Sequence, residues 1–199
     1  MYRLYGTRDR GFSLIPFPNK KYNIIYADPP WSFRNKNTGG YMKSGAKSHY
    51  KTMSLKEMKE LDIQSISEDD CVLFMWWVGS QPQEALDLLS AWGFKLKTMT
   101  GFNWVKTTKL GKLFFGMGFW TRAGSECCLI ATKGKPKPIN RGIRSVIISE
   151  NKRHSEKPKE IRDRIVALCG DVPRIELFAR DTCEGWNCWG NEIETDINL

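Results

Sequence analysis

Histidine is nearly missing from this chain of 199 residues: only His49 and His154 occur. Neither lies beside a cysteine pair, and Cys183 and Cys188 have four residues between them rather than two, so no zinc donor set is assembled and no metal is expected. Long apolar runs are lacking as well. No stretch of about 18 apolar residues exists to cross a bilayer, so no membrane association is expected. The opening MYRLYGTRDRGFSLIPF has no apolar segment behind a basic start, the mark of a secretory signal. The six cysteines are therefore expected to stay reduced, in a cytoplasm. Internal repeats, low-complexity tracts and long linkers are absent too, which points to a single domain over residues 1–199. What is present in excess is positive charge, a net +9, with eleven basic against four acidic residues between Lys133 and Arg164. A localised basic surface favours a polyanionic partner.

Short apolar runs alternate with amphipathic ones. YNIIYA (Tyr22–Ala27) and CVLFMWW (Cys71–Trp77) read as strands covered on both faces. Ser54 and Glu57 form a capping box that opens a short helix, and a second helix starts near Ser80–Gln83 and stops at Gly93. Further strands are expected over Lys95–Lys106, CCLIAT (Cys127–Thr132) and SVIIS (Ser145–Ser149). A helix follows over Lys157–Cys169, and RIELFA (Arg174–Ala179) reads as the last clear strand. The alternation implies a three-layer α/β fold with a mostly parallel sheet. Ligands of such sheets bind beyond the carboxyl ends of the strands. Asp28 and Arg180 fall there, offering opposite charges to one crevice.

The most informative stretch is YADPPWSF (Tyr26–Phe33). Two consecutive prolines nearly freeze the backbone and donate no N–H, leaving carbonyl oxygens as its polar groups. An amine on an aromatic ring is a poor nucleophile because its lone pair is delocalised. Two acceptors, the Asp28 carboxylate and the Pro29 carbonyl, would favour a pyramidal nitrogen and localise that pair. Pro30 stiffens the turn, and Trp31 can stack on the base. The motif therefore suits methyl transfer to an exocyclic amine, by in-line attack on a sulfonium methyl.

FFGMG (Phe114–Gly118) matches a glycine motif that many methyltransferases use for their cofactor, but no buried strand precedes it and no capped helix follows. With Lys106, Lys109, Lys112, Trp120 and Arg122 around it, it reads instead as a basic, aromatic loop that closes over a base, Trp120 lining the pocket. Trp76, Trp77 and Trp92 sit on strand or helix patterns and read as core.

DPPW after a hydrophobic strand resembles the catalytic motif of the adenine-N6 methyltransferase family named for the seventy-kilodalton subunit of the messenger-RNA adenosine enzyme (MT-A70). SHYKTMS, CVLFMWWVG, NWVKT, GFWTRAGSECCLIATKG, HSEKP and RIELFARDTCEGWNCWGNE follow in that family's order. The resemblance implies S-adenosylmethionine as cofactor, Asp28, Pro29, Pro30 and Trp31 as the catalytic set, and Tyr50 beside the substrate, to which the loop reading adds Lys106, Trp120 and Arg122 as substrate-binding. It also implies cofactor contacts from Asp28, Lys157, Glu176, Phe178, Arg180, Thr182, Asn191 and Glu192. Thr182 stands where the messenger-RNA enzyme has histidine, and Glu192 where it has glutamine. The resemblance also makes the three-layer α/β fold Rossmann-like, with the catalytic motif first and the cofactor strand last, a permuted order. A compact prokaryotic or phage-type member acting on adenine in DNA is the expected activity. RNA is the alternative substrate, a catalytically silent nucleic-acid-binding subunit the alternative role, and a homodimer or a heterodimer with a related subunit is compatible with the family.

Overall fold

The computed structural model describes residues 15–32, 52–118, 120–152, 156–191 and 193. Their seven strands form one sheet: β1 (Tyr22–Ala27), β2 (Ser67–Trp77), β3 (Lys95–Thr107), β4 (Ser125–Lys133), β5 (Val146–Glu150), β6 (Arg174–Leu177) and β7 (Asn187–Trp189). The spatial order is β5-β3-β4-β2-β1-β6-β7. Four neighbouring pairs are parallel, and β4 alone runs against both of its neighbours. The mostly parallel α/β expectation thus holds, with one reversed strand near the middle.

Period-two alternation in the central strands supplies two cores. Leu73 and Met75 of β2 face one side, where they meet Ile25 and Leu129, and α1 (Leu55–Lys59) and α2 (Pro82–Ala91) cover them with Met58, Ala85 and Leu88. Phe74 and Trp76 face the other side with Ile24, Cys128 and Ile147, under Ile161 and Ile165 of α3 (Glu160–Cys169). Trp76 and Trp92 are core, as expected, and Trp77 is half-buried with its indole N–H on the Met99 carbonyl at 2.9 Å. The Ser54–Glu57 capping box forms: the Ser54 hydroxyl accepts from Glu57 N–H at 3.2 Å, while Glu57 Oε2 accepts from Ser54 N–H at 2.7 Å.

Strand β2 begins at Ser67, four residues before the run read as a strand, and three further features differ from the sequence reading. Helix α3 begins at Glu160 rather than Lys157, because Pro158 pushes the residue before it out of the helical region. The last predicted strand ends at Leu177, where Phe178 adopts φ 61° and turns the chain out of the sheet. A further strand, β7, then pairs with β6 and closes that edge. Its exit is stitched to the exit of β6, with Ala179 N–H donating to the Trp189 carbonyl at 3.0 Å. A side chain at Gly190 would meet the Ala179 oxygen at 2.2 Å, so only glycine fits there.

At the other edge, among the described residues, β5 pairs only with β3. The Arg164 guanidinium donates to the Arg144 and Val146 carbonyls at 2.6 and 2.7 Å, and Glu160 holds it from below. All six cysteines are free. Among the described residues no helix is long and apolar enough to cross a membrane.

Candidate active site

Strand β1 lies between β2 and β6 and runs parallel to both, with Ala27 opposite Leu177. The sequence pattern therefore delivers Asp28 and Phe178–Arg180 to the same edge of the sheet. The double-proline turn is fixed from both sides: Trp31 N–H donates to the Pro29 carbonyl at 2.8 Å, and Met53 N–H to the Pro30 carbonyl at 3.0 Å. A carbonyl has two lone pairs, so Pro29 keeps one acceptor position beside Asp28.

Asp28 is bound to Lys157. The ammonium lies 2.7 Å from Asp28 Oδ2 and 3.3 Å from Glu126 Oε2, and the other Glu126 oxygen takes Lys106 Nζ at 2.5 Å. Four charges thus alternate in a row from β1 to β3: Asp28, Lys157, Glu126, Lys106. The two cations also sit over indole rings, Lys157 5.4 Å from the Trp76 centroid and Lys106 4.7 Å from that of Trp104. Burial raises the Asp28 pKa above the ordinary carboxylate range, against the opposing charge and hydrogen bond of Lys157. Burial also acts to raise Glu126, but its two lysine partners outweigh this and hold it below the ordinary range. Desolvation opposes the charge on Lys157, yet Asp28 and Glu126 together raise its pKa.

The remaining predicted residues divide by location. Arg180 is half-buried, and its charge favours the ionised form of Asp28. Thr182 lines a polar cleft of about 550 Å³ with Lys152, Glu156, Lys159 and Asp181. Phe178 is buried, edge-on to Trp189 at 5.7 Å. Asn191 is exposed. Tyr50 and Glu192 lie outside the described residues, as do His49 and His154.

Three expectations change in detail. Trp31 is 5% exposed, packs in the core, and donates its indole N–H to the Trp76 carbonyl at 3.1 Å. It anchors the turn, and little of its ring is left open for stacking. Glu176 is committed to Arg162, which binds both its oxygens at 2.6 and 2.9 Å. Lys106 is not a free cation awaiting a phosphate but the far member of the charge row.

The basic run also divides. Lys133 donates to the Ser67 carbonyl and the Lys135 N–H to Asp70, at the end of the sheet opposite Asp28, because β4 runs backwards. Lys157, Arg162 and Arg164 are held in internal ion pairs. Lys152 and Lys159 remain exposed near the site.

Glu126 and Arg162 were not singled out in the sequence. A signal existed for both. An acid inside an apolar strand run, as in SECCLIAT and RIELF, must find a cation when buried. FFGMG is followed by no helix; it lies in the β3–β4 connection, where Gly116 N–H bonds the Ala123 carbonyl at 2.9 Å.

Known proteins carry the same arrangement of sequence. The MT-A70 family model matches residues 22–192. The type II methyltransferase M.MunI of a Mycoplasma species is 38% identical over 192 residues, covering 88% of this chain and 79% of its own. The N(6)-adenosine-methyltransferase subunit METTL3 of Danio rerio is 32% identical over 179 residues, and the human METTL3 catalytic subunit 31% over the same length. This chain spans 28% of each METTL3 relative's length. With its DPPW turn at the end of β1 and a family match that runs from β1 past β7, the chain belongs to the MT-A70 family.

Proposed function

We propose that this chain transfers a methyl group from S-adenosylmethionine to the N6 amine of adenine in DNA. The observation that carries the reading is the acceptor pair at the end of β1: the Asp28 carboxylate, one oxygen of which is taken by Lys157, beside a Pro29 carbonyl with a spare lone pair. Asp28 Oδ1 and the Pro29 oxygen would receive the two N–H groups of the amine. The nitrogen lone pair is thereby turned toward an electrophile. The raised basicity of Asp28 also suits it to accept the proton that the methylated nitrogen releases.

The donor set fits the cofactor. In the cleft Lys152 and Lys159 supply cations for a carboxylate, while Glu156 and Asp181 supply acceptors for an ammonium group or a ribose diol. Thr182 adds a hydroxyl on the same wall. When bound there, the sulfonium supplies an activated methyl group. Arg162 keeps Glu176 from competing for the cationic parts of a ligand, and Lys157 orients Asp28. The similarity to M.MunI over 79% of its length supports DNA as the polymer.

The test offers methyl-labelled S-adenosylmethionine with DNA and RNA oligonucleotides to the wild type and to Asp28→Ala, and identifies the product by nucleoside mass spectrometry. N6-methyladenine from DNA, lost at least a hundredfold in the variant, is the expected result. Undiminished product in the variant would refute the role of Asp28, and product from RNA alone would overturn the choice of polymer.

A further inference from the structure

Among the described residues of the β3–β4 connection (108–118 and 120–124), five large apolar side chains are in the open. Trp120 is fully exposed, and Leu110, Leu113, Phe115 and Met117 are between 68% and 84% exposed. The segment is nevertheless built. Thr107 pairs with Leu113 and Gly116 with Ala123 as antiparallel bridges. Phe114 N–H donates to the Lys106 carbonyl and Lys106 N–H to the Gly124 carbonyl, at 2.9 and 2.8 Å. The chain therefore leaves the sheet as a folded-back hairpin, at the same end as Asp28, and is rooted at Lys106 and Glu126 of the charge row.

Apolar side chains grouped on an ordered surface mark an interaction site, and the charge states the partner. From Lys106 to Ser125 the chain holds Lys106, Lys109, Lys112 and Arg122 and no acidic residue. Lys109, Lys112 and Arg122 are exposed. The Arg122 guanidinium stacks on Phe115, 4.9 Å from the ring centroid, so a flat cationic platform stands beside a freely projecting indole. Stacking surfaces interleaved with cations suit unpaired nucleotides, whose bases offer π faces and whose phosphates offer charge. A protein partner of ordinary composition offers neither in series.

We infer that this hairpin is a stacking element for the unpaired nucleotides that flank the target adenine, and that the substrate is bound single-stranded or locally opened. Trp120 then acts outside the adenine pocket rather than lining it. The inference rests on the proposed nucleic-acid substrate and names the form in which that substrate is held.

The full chain is titrated by fluorescence anisotropy with a labelled single-stranded oligonucleotide and with its fully paired duplex. Trp120→Ala and Phe115→Ala should each weaken single-strand binding about tenfold, with a smaller effect on the duplex. Trp120→Phe keeps a stacking ring and should retain most of the affinity, whereas Trp120→Leu keeps only apolarity and should not. Arg122→Gln should reduce the salt dependence by roughly one phosphate contact. Lys137→Gln, an exposed residue outside the hairpin, serves as the control and should change little. Wild-type single-strand affinity in both alanine variants overturns the inference. So does a Trp120→Leu variant that binds normally, or a self-associated wild type that Trp120→Ala converts to monomer without loss of nucleic-acid affinity. If binding behaves as expected but no methyl group is transferred to any oligonucleotide, the functional proposal fails and the stacking element stands. Methyl transfer with unaltered binding in the variants is the reverse case.

Discussion

Replacing Lys157 by methionine is expected to move the acid limb of the methyl-transfer rate to higher pH. Lys157 is 10% exposed and its ammonium lies 2.7 Å from Asp28 Oδ2. An opposite charge at that range typically lowers a carboxylate pKa by about 1–3 units. Burial already holds Asp28 above the ordinary range despite this help, so removal of the cation adds to the rise. Asp28 works as an acceptor only when ionised, hence activity disappears as pH falls through its pKa, and the limb should shift upward by about 1–3 pH units. Glu126→Gln acts in the opposite sense. The Glu126 charge raises Asp28, and its neutral amide should shift the limb downward, by less than one unit if screened as an indirect neighbour. Lys157→Arg keeps the charge and should stay close to wild type. The assay is kcat/KM for an oligonucleotide against pH, at saturating cofactor, for all four proteins. Shifts of the same sign in Lys157→Met and Glu126→Gln would refute the charge-row reasoning, as would a Lys157→Met limb that coincides with the wild-type one.

Arg162→Met leaves Glu176 buried without its bidentate partner and is expected to destabilise the fold by about 3–5 kcal/mol; thermal unfolding monitored by circular dichroism measures it, and Glu176→Gln in the same background should recover part of the loss. In Gly118→Ala the new methyl group would meet the Thr121 carbonyl oxygen at 2.0 Å, so the hairpin must deform. Single-strand affinity should fall several-fold while the melting temperature shifts by no more than a few degrees, since nothing in the core is touched.

Much of the site was legible because chemistry and backbone coincide in a few residues. Asp28-Pro29-Pro30-Trp31 specifies a rigid turn whatever surrounds it, and YNIIYA places that turn at a strand end. Arg180 follows from its place at a strand end and Lys157 only from the family resemblance, and both come to the edge that holds Asp28. The charge row was not legible. Glu126 and Lys106 meet because β4 is reversed between β2 and β3, and nothing local in SECCLIAT announces its direction. Strand β7 escaped because three residues within a cysteine- and tryptophan-rich stretch show no period. Its pairing depends on Phe178 turning the chain at positive φ, a conformation glycine would signal and phenylalanine hides. The basic run misled for the same reason as the charge row: it is contiguous in sequence, but a reversed strand sends its first lysines to the far end of the sheet.

The clamp on β5 carries a consequence of a different kind. Val146 and Ile148 are 47% and 67% exposed on a short β-branched segment at an open sheet edge, the composition from which intermolecular cross-β stacking starts. The Asn103 N–H donates to the Ser145 carbonyl on the inner side, so the alternate carbonyls of Arg144 and Val146 are among the outward acceptors an incoming strand would need. Arg164 already occupies both. Glu160 and Arg164 thereby act as a gatekeeper, making this edge a poor template for a second chain and tying the colloidal behaviour of the protein to one guanidinium on α3.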